Sequence, residues 1–97
     1  MHIITRKRLN KFAEKYPDTE NALADWYHLI KQNNFTNFAE LKAIFSSTDK
    51  VGKLTVFNIG GNKYRLITKF EFLKKTVYIK FVLTHKQYDK AAWINEC

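Results

Sequence analysis

In the first half of the chain, apolar residues recur at the spacing of amphipathic helices. A short apolar stretch at residues 2–5 predicts a strand, and the apolar stripe after it predicts a helix from about Arg6 to Lys15. Pro17 should end this helix, because the residue before a proline avoids the α-helical region. The stripe consists of Leu9, Phe12, Ala13 and Tyr16, and basic side chains occupy much of the remaining helix surface.

Two further helices are predicted before the middle of the chain. Asp18 is a suitable N-cap for the second helix, whose apolar residues repeat at helical spacing as far as Gln32. Asn37 followed by Glu40 resembles a capping box, which predicts a short third helix over residues 38–45. The first half of the chain is therefore predicted to be mainly helical.

After a polar loop predicted at residues 46–52, the apolar period changes to two, which is typical of strands. Strands are predicted at residues 54–59, 63–72 and 76–84, and Gly60–Gly61 supplies the positive φ angles of a tight hairpin turn. In the last strand, the apolar face is predicted to consist of Val77, Ile79, Phe81 and Leu83. The tail from residue 85 to residue 95 is predicted to be a short helical segment that packs Trp93 and Ile94.

The alternation of apolar and polar residues along the two strands predicts the register of the second hairpin. A two-residue loop at Lys74–Lys75 places Phe70 opposite Ile79, whereas a three-residue loop would mix apolar and polar faces. The favoured register also predicts two pairs on the polar face, namely Lys69 opposite Lys80 and Arg65 opposite Thr84.

Length and charge narrow the class of protein. The 97 residues suffice for one domain, and the net charge of +8 indicates an anionic partner, nucleic acid first and a membrane surface second. Residues 1–49 contain seven basic and six acidic side chains, whereas residues 50–97 contain ten and three. The C-terminal half is therefore expected to carry the anion-binding face.

Cysteine content and hydropathy point to a cytoplasmic protein. Cys97 is the only cysteine, so no disulfide can form within the chain. No apolar run approaches the roughly 18 residues of a transmembrane helix, and the N-terminal charges follow too short an apolar stretch for a signal peptide. One cysteine and three scattered histidines do not form a zinc site, and we expect neither a metal nor another cofactor.

The densest group of reactive side chains follows the last strand. His85 and Tyr88 are three residues apart, so one helical turn brings them to the same side, and the predicted register brings Arg65 to that turn. Such groups suit metal-free cleavage of RNA, in which imidazole carries protons and guanidinium grips phosphate oxygens. Asp89 either orients the imidazole or has only a local role, as a cap or as a partner of Lys86. The residues alone leave open that His85 is an incidental surface histidine.

Two segments carry a resemblance to a known family. Residues 56–67 resemble the central hairpin of HigB toxins, a branch of the RelE/ParE superfamily, with Asn62-x-x-Arg65 following a Gly-Gly turn. Residues 78–90 resemble the strand that follows, which ends in a Thr-His-x-x-Tyr-Asp motif from Thr84 to Asp89. The resemblance implies an α+β fold of RelE type, an antiparallel sheet with N-terminal helices on one face, formed by residues 1–97 as a single domain.

The same resemblance implies a function. It implies an mRNA interferase that acts in the ribosomal A site, is inhibited by a HigA-like helix-turn-helix antitoxin, and represses its operon together with that antitoxin through operator DNA. The implied catalytic or phosphate-binding residues are Arg65, His85 and Tyr88, and Asn62 also matches the motif. With the lysines around this site and on the polar sheet face added, the predicted RNA-binding residues are Asn62, Lys63, Lys69, Lys80 and Lys86. Lys63 or Lys80 could share the proton transfer. The alternatives are a ParE-type toxin that acts on DNA gyrase, a plain RNA-binding module and, less simply, a membrane-surface protein.

Overall fold

The computed structural model describes residues 1–61 and 63–90 as a five-stranded sheet with four helices. A single 3-10 turn, Pro17–Thr19, links the first two helices. The elements, in chain order, are β1 His2–Ile4, α1 Arg6–Lys15, α2 Glu20–Gln32, α3 Phe38–Ile44, β2 Asp49–Val51, β3 Leu54–Ile59, β4 Tyr64–Glu71, β5 Thr76–Thr84 and α4 His85–Asp89. The α+β class is confirmed, as is the order of helices before the main strands.

The predicted helices are confirmed, but two predictions for the segments next to them are wrong. Asp18 is not an N-cap: it lies inside the 3-10 turn, and its carboxylate accepts a hydrogen bond from the Tyr64 hydroxyl at 3.0 Å. The predicted polar loop at residues 46–52 contains β2, which alternation could not reveal because the strand has only three residues. Trp93 and Ile94 lie outside the described residues.

The cap of α3 forms as the sequence predicted. The Asn37 side chain accepts a hydrogen bond from the Glu40 backbone N–H at 3.0 Å, which satisfies one free donor of the first turn. The Glu40 carboxylate accepts in return from the Thr36 backbone N–H at 2.7 Å, and this bond lowers the pKa of the Glu40 carboxyl below its usual range. The reciprocal bond thus reaches one residue further back than in a standard capping box.

The sheet has the order β1-β5-β4-β3-β2 and is antiparallel except at one edge. β1 runs parallel to β5 and pairs only with Thr76–Tyr78, so the second half of β5 extends beyond it. At the β3–β4 turn, Gly60 and Gly61 have φ angles of 62° and 72°, the left-handed region that glycine adopts without strain.

The predicted register of the β4–β5 hairpin is wrong, although its loop is correctly located. The loop has four residues, 72–75, and a bulge interrupts the pairing between Ile67 and Thr68 of β4. Lys80 is the residue of β5 that the pairing skips. Consequently Lys69 lies opposite Tyr78, not Lys80, and Arg65 lies opposite Leu83, not Thr84.

The bulge divides β5 between the two faces of the sheet. Val77 and Ile79 belong to the core beneath the helices, as predicted, but Phe81 and Leu83 pack on the opposite side. Their place on the helix side is taken by Val82. Because residues 81–83 are all apolar, the strand can bury side chains on both sides after the bulge, and alternation alone cannot fix its parity.

The two faces of the sheet bury separate clusters. The helix face packs against α1, α2 and α3, which confirms that the N-terminal helices lie on one face. Its core includes Leu9, Leu23, Trp26, Ile30, Leu41, Phe57, Leu66, Val77 and Ile79. The opposite face carries a smaller cluster of Leu54, Val56 and Ile67, packed by Val51, Phe81, Leu83 and Tyr88.

The hydrogen bond between Tyr64 and Asp18 gives a testable pH dependence. Burial, together with the Asp18 carboxylate, raises the pKa of the Tyr64 phenol, so the protonated phenol is favoured in the folded protein. Stability should therefore fall as the pH rises through the tyrosine range. We expect Asp18→Ala to lower the free energy of unfolding near neutral pH and to make its fall at alkaline pH shallower.

Urea denaturation at about pH 7 and about pH 10 measures both effects. Asp25→Ala is the matched control, because it removes the same charge from an exposed position on α2. An alkaline slope that is the same in Asp18→Ala and in the unmodified protein would contradict the assignment.

Candidate active site

The candidate site lies where β5 ends and α4 begins. Thr84 caps α4: its hydroxyl accepts from the Gln87 backbone N–H at 3.2 Å, and the Gln87 side chain accepts from the Thr84 backbone N–H at 3.0 Å. The backbone N–H of His85 donates to the Lys63 carbonyl at 2.9 Å. These bonds fix the first turn of α4 against the start of β4.

Arg65 reaches this turn through Tyr88. Arg65 lies on the opposite face of the sheet, half-buried, and its guanidinium carbon is 5.4 Å from the centroid of the Tyr88 ring. Its Nη1 also donates to the Tyr64 carbonyl at 3.2 Å. A guanidinium held over an aromatic ring has a restricted orientation and still directs N–H groups outward. The structure therefore brings Arg65 and Tyr88 together, as the sequence predicted, although Arg65 pairs with a different residue of β5.

His85 is held by Asp89 within the same helix. The imidazole Nδ1 lies 3.2 Å from a carboxylate oxygen of Asp89, one helical turn later, and the His85 side chain is 51% exposed. Of the two alternatives for Asp89, the structure supports orientation of the imidazole. An imidazole held through Nδ1 presents Nε2 to a substrate, which is the arrangement that proton transfer needs.

The five residues predicted to bind RNA separate into groups. Lys63 and Lys86 are exposed beside the first turn of α4. Lys69 and Lys80 instead lie around Tyr78: Lys69 is opposite it, and the Lys80 ammonium is 6.0 Å from its ring. Lys69 is four positions further along β4 than Arg65, which corresponds to a distance of roughly 13 Å between their backbones. The predicted position Asn62 lies outside the described residues.

Sequence reasoning missed two residues beside these groups. Asn58 lies directly opposite Arg65 on the neighbouring strand, so their side chains share a face. The Gly60–Gly61 turn could have indicated this pair, because it fixes which residues of β3 and β4 are opposite. Tyr78 is the other, and it lies opposite Lys69 because the hairpin loop has four residues instead of the predicted two.

A comparison with known protein families identifies the chain. A family model described as "HigB_toxin, RelE-like toxic component of a toxin-antitoxin system" matches residues 19–91. The chain belongs to the HigB toxin family. The matched region contains the β3–β4 hairpin and the β5–α4 junction, and hence Arg65, His85 and Tyr88. Membership in a HigB toxin family implies that the toxin has an antitoxin partner.

The alignments with curated relatives cover nearly the whole chain. The mRNA interferase toxin HigB of Escherichia coli K12 is 40% identical over 92 residues, which cover 92% of this chain and 88% of the relative. The mRNA interferase HigB of Shigella flexneri gives the same values. The mRNA interferase HigB of Escherichia coli O6:H1 is 33% identical over 93 residues, which cover 93% and 90%.

The protein is basic, with a net charge of +8, and the part of it that the structure describes contains no candidate membrane span. None of the helices within residues 1–61 and 63–90 is both long and apolar enough to cross a bilayer. The basic α1 directs its apolar stripe into the core beneath the sheet, with Leu9 only 4% exposed. This burial uses the apolar surface that insertion into a membrane surface would need.

Proposed function

We propose that this HigB-family toxin is an endoribonuclease that cleaves messenger RNA. The observation that carries the proposal is the arrangement at the α4 turn, where Arg65 is held on the Tyr88 ring and the His85 imidazole is held by Asp89. The names of the relatives, mRNA interferases at 40% and 33% identity, support the same activity. Toxicity then results from the loss of translatable message.

The proposed reaction uses the 2′-hydroxyl of the RNA as its nucleophile. The 2′-oxygen attacks the adjacent phosphorus, the bond from phosphorus to the 5′-oxygen breaks, and the products are a 2′,3′-cyclic phosphate and a 5′-hydroxyl. A base must accept the 2′-hydroxyl proton, and an acid must protonate the leaving 5′-oxygen. Histidine is the side chain that most often transfers protons in catalysis, and His85 is therefore assigned at least one of these transfers.

Arg65 is assigned to bind the phosphate, and Tyr88 is assigned to hold the guanidinium and to contact the nucleotide. The guanidinium offers paired N–H donors to the phosphate oxygens, and these bonds strengthen as negative charge develops on the phosphorane. Tyr88 holds the guanidinium on one ring face and stacks on a base or contacts the 2′-hydroxyl with its exposed part. Lys63 and Lys86, exposed beside the turn, attract the flanking phosphates.

Lys69 and Lys80 take a more distant part in RNA binding. With Tyr78 between them, they form a second basic and aromatic position on the sheet. Lys69 lies roughly 13 Å from Arg65 along β4, too far to contact the same phosphate. The Lys80 ammonium lies near the Tyr78 ring, opposite Lys69, so both lysines are assigned to a neighbouring nucleotide. Asn62 stays a predicted contact of the β3–β4 turn.

The partners are proposed to be those of a HigB system. The toxin acts in the ribosomal A site on message that is being translated. A HigA-like antitoxin with a helix-turn-helix domain neutralises it, and the pair binds operator DNA through that domain. The net charge of +8 supports binding to both an RNA-rich ribosome and an acidic protein.

Mapping RNA ends after brief induction of the toxin tests the proposal. We expect new 5′-hydroxyl ends within translated frames, and expect purified toxin to produce them on a defined message only when ribosomes are translating it. An uninduced culture is the control. DNA damage with intact message would favour a gyrase toxin, and binding to RNA without cleavage would favour a plain RNA-binding module.

A further inference from the structure

A cleft between α1 and α2 lies on the far side of the sheet from the candidate active site. It has a volume of about 160 Å³, and side chains exposed to solvent line its mouth. Its floor is formed by Leu9 and Leu23 of the core beneath the helices, whereas Tyr88 of the α4 turn packs on the opposite face of the sheet. This space, which we call the α1–α2 cleft, is therefore separate from the surface to which RNA binding is assigned.

Small side chains keep the cleft open. Ala13 of α1 and Ala24 of α2 line it, and neither side chain is long enough to fill the space between the two helices. Because Leu9 and Leu23 below them are buried, the floor is apolar. Pockets for drug-sized ligands usually have volumes of roughly 300 to 1,000 Å³. The smaller volume of this cleft favours a small metabolite over a nucleotide.

The two charged side chains that line the cleft have opposite signs. Arg6, the first residue of α1, has its guanidinium carbon 4.1 Å from the centroid of the Tyr27 ring. A guanidinium that stacks on a ring still directs its N–H groups outward, where a carboxylate can accept from them. Glu20 is the first residue of α2 and is exposed. Within residues 1–61 and 63–90, Arg6 and Glu20 form no ion pair with each other or with another side chain.

We propose that the α1–α2 cleft binds a free amino acid with an apolar side chain. Arg6 binds the carboxylate of the ligand, Glu20 binds its ammonium group, and its side chain lies on Leu9 and Leu23. Only a zwitterion matches both charges, because a phosphate or a fatty acid pairs with Arg6 alone and an amine pairs with Glu20 alone. The side-chain amide of Asn10, which also lines the cleft, offers the ligand one further donor and acceptor.

The affinity is expected to be weak, because both charged groups are exposed. Ion pairs at such positions contribute little, so we expect a dissociation constant on the order of 1 mM. A ligand held by Arg6 and Glu20 also joins α1 to α2, and it therefore stabilises the folded protein as its concentration rises. The stability of the toxin then follows the concentration of a free amino acid. This inference goes beyond the proposed mRNA cleavage and does not depend on it.

Titration with L-leucine, followed by two-dimensional NMR of the isotope-labelled toxin, tests the assignment. We expect the backbone amide signals of α1 and α2 beside the cleft to shift and the signals of α4 to stay unchanged. N-acetyl-L-leucine lacks the ammonium group and L-leucinamide lacks the carboxylate, so each analogue keeps the side chain and one of the two contacts. We expect each analogue to bind about 5- to 10-fold more weakly than leucine.

Matched variants make the result specific to the cleft. Arg6→Gln and Glu20→Gln should each weaken leucine binding by a similar factor, because each removes one charged contact. Lys7→Gln and Glu14→Gln are their controls, since they remove the same charges from exposed positions of α1 that do not line the cleft. Ala24→Leu should abolish binding, because the longer side chain fills the cleft from an exposed position of α2.

Three results would overturn the proposal. The first is an absence of shifts at millimolar leucine. The second is equal binding of leucine and both analogues, since the cleft would then recognise only the apolar side chain. The third is an unchanged leucine affinity in Arg6→Gln and Glu20→Gln, which would place the ligand elsewhere. The titration contains no RNA, so failure of the mRNA-cleavage proposal leaves it interpretable, and circular dichroism confirms that each variant is folded.

Discussion

Replacing Arg65 by alanine is expected to reduce mRNA cleavage about 100- to 1,000-fold, the usual cost of losing one preorganised donor to a developing anion. The guanidinium is held on the Tyr88 ring and by the Tyr64 carbonyl, so its orientation is set before RNA binds. An interaction that strengthens as the phosphorane forms lowers kcat more than it raises KM when it is removed. Single-turnover cleavage of a message bound to ribosomes measures the effect on the cleavage step separately from the effect on RNA binding.

Two variants make the Arg65 result specific. Arg65→Lys keeps the charge but loses the planar pair of donors, so we expect it to recover only part of the rate. Lys53→Ala removes a positive charge from an exposed turn away from the α4 turn, and we expect little change. If Arg65→Ala cleaves message like the unmodified toxin, Arg65 does not contact the reacting phosphate.

The helices and the main strands could be predicted from the sequence because each has a strong local signal, whereas β2 and the order of the strands in the sheet were not predicted. The stripe on α1, the Asn37 cap and the Gly60–Gly61 turn are properties of residues close together in the chain. Asp18 misled this reasoning because its carboxylate is used by Tyr64, a residue 46 positions away, and not by the adjacent helix. Local patterns carry no information on such a distant partner.

The candidate site was predictable in part for the same reason. His85, Tyr88 and Asp89 are brought together by helical spacing alone, and the Thr84 cap that starts the helix is visible in the sequence. The proposed pair of Lys69 and Lys80 was wrong because the hairpin loop has four residues instead of two, which moves the partner of Lys69 by two positions to Tyr78. Arg65 lies beyond the bulge, which takes back one of these two positions, so Arg65 is opposite Leu83, next to the predicted partner Thr84.

The strongest test of proton transfer is His85→Ala, which we expect to lower the cleavage rate about 100- to 10,000-fold. The side chain is 51% exposed, so its loss removes the proton carrier with little effect on packing. Single-turnover cleavage of a message bound to ribosomes measures the loss.

Asp89→Asn and free imidazole distinguish proton transfer from a structural role for His85. Because the Nδ1 contact with Asp89 is exposed, the pair contributes about 0.2 to 1 kcal/mol, and its loss should slow cleavage by no more than about fivefold. Imidazole added to the buffer should restore part of the rate of His85→Ala, because the emptied position is open to solvent. The same imidazole should leave Arg65→Ala unchanged, since that variant keeps its own histidine and lacks a phosphate contact. A His85→Ala variant that keeps the full rate would contradict the assignment and make Lys63, which is exposed beside the α4 turn, the next group to test.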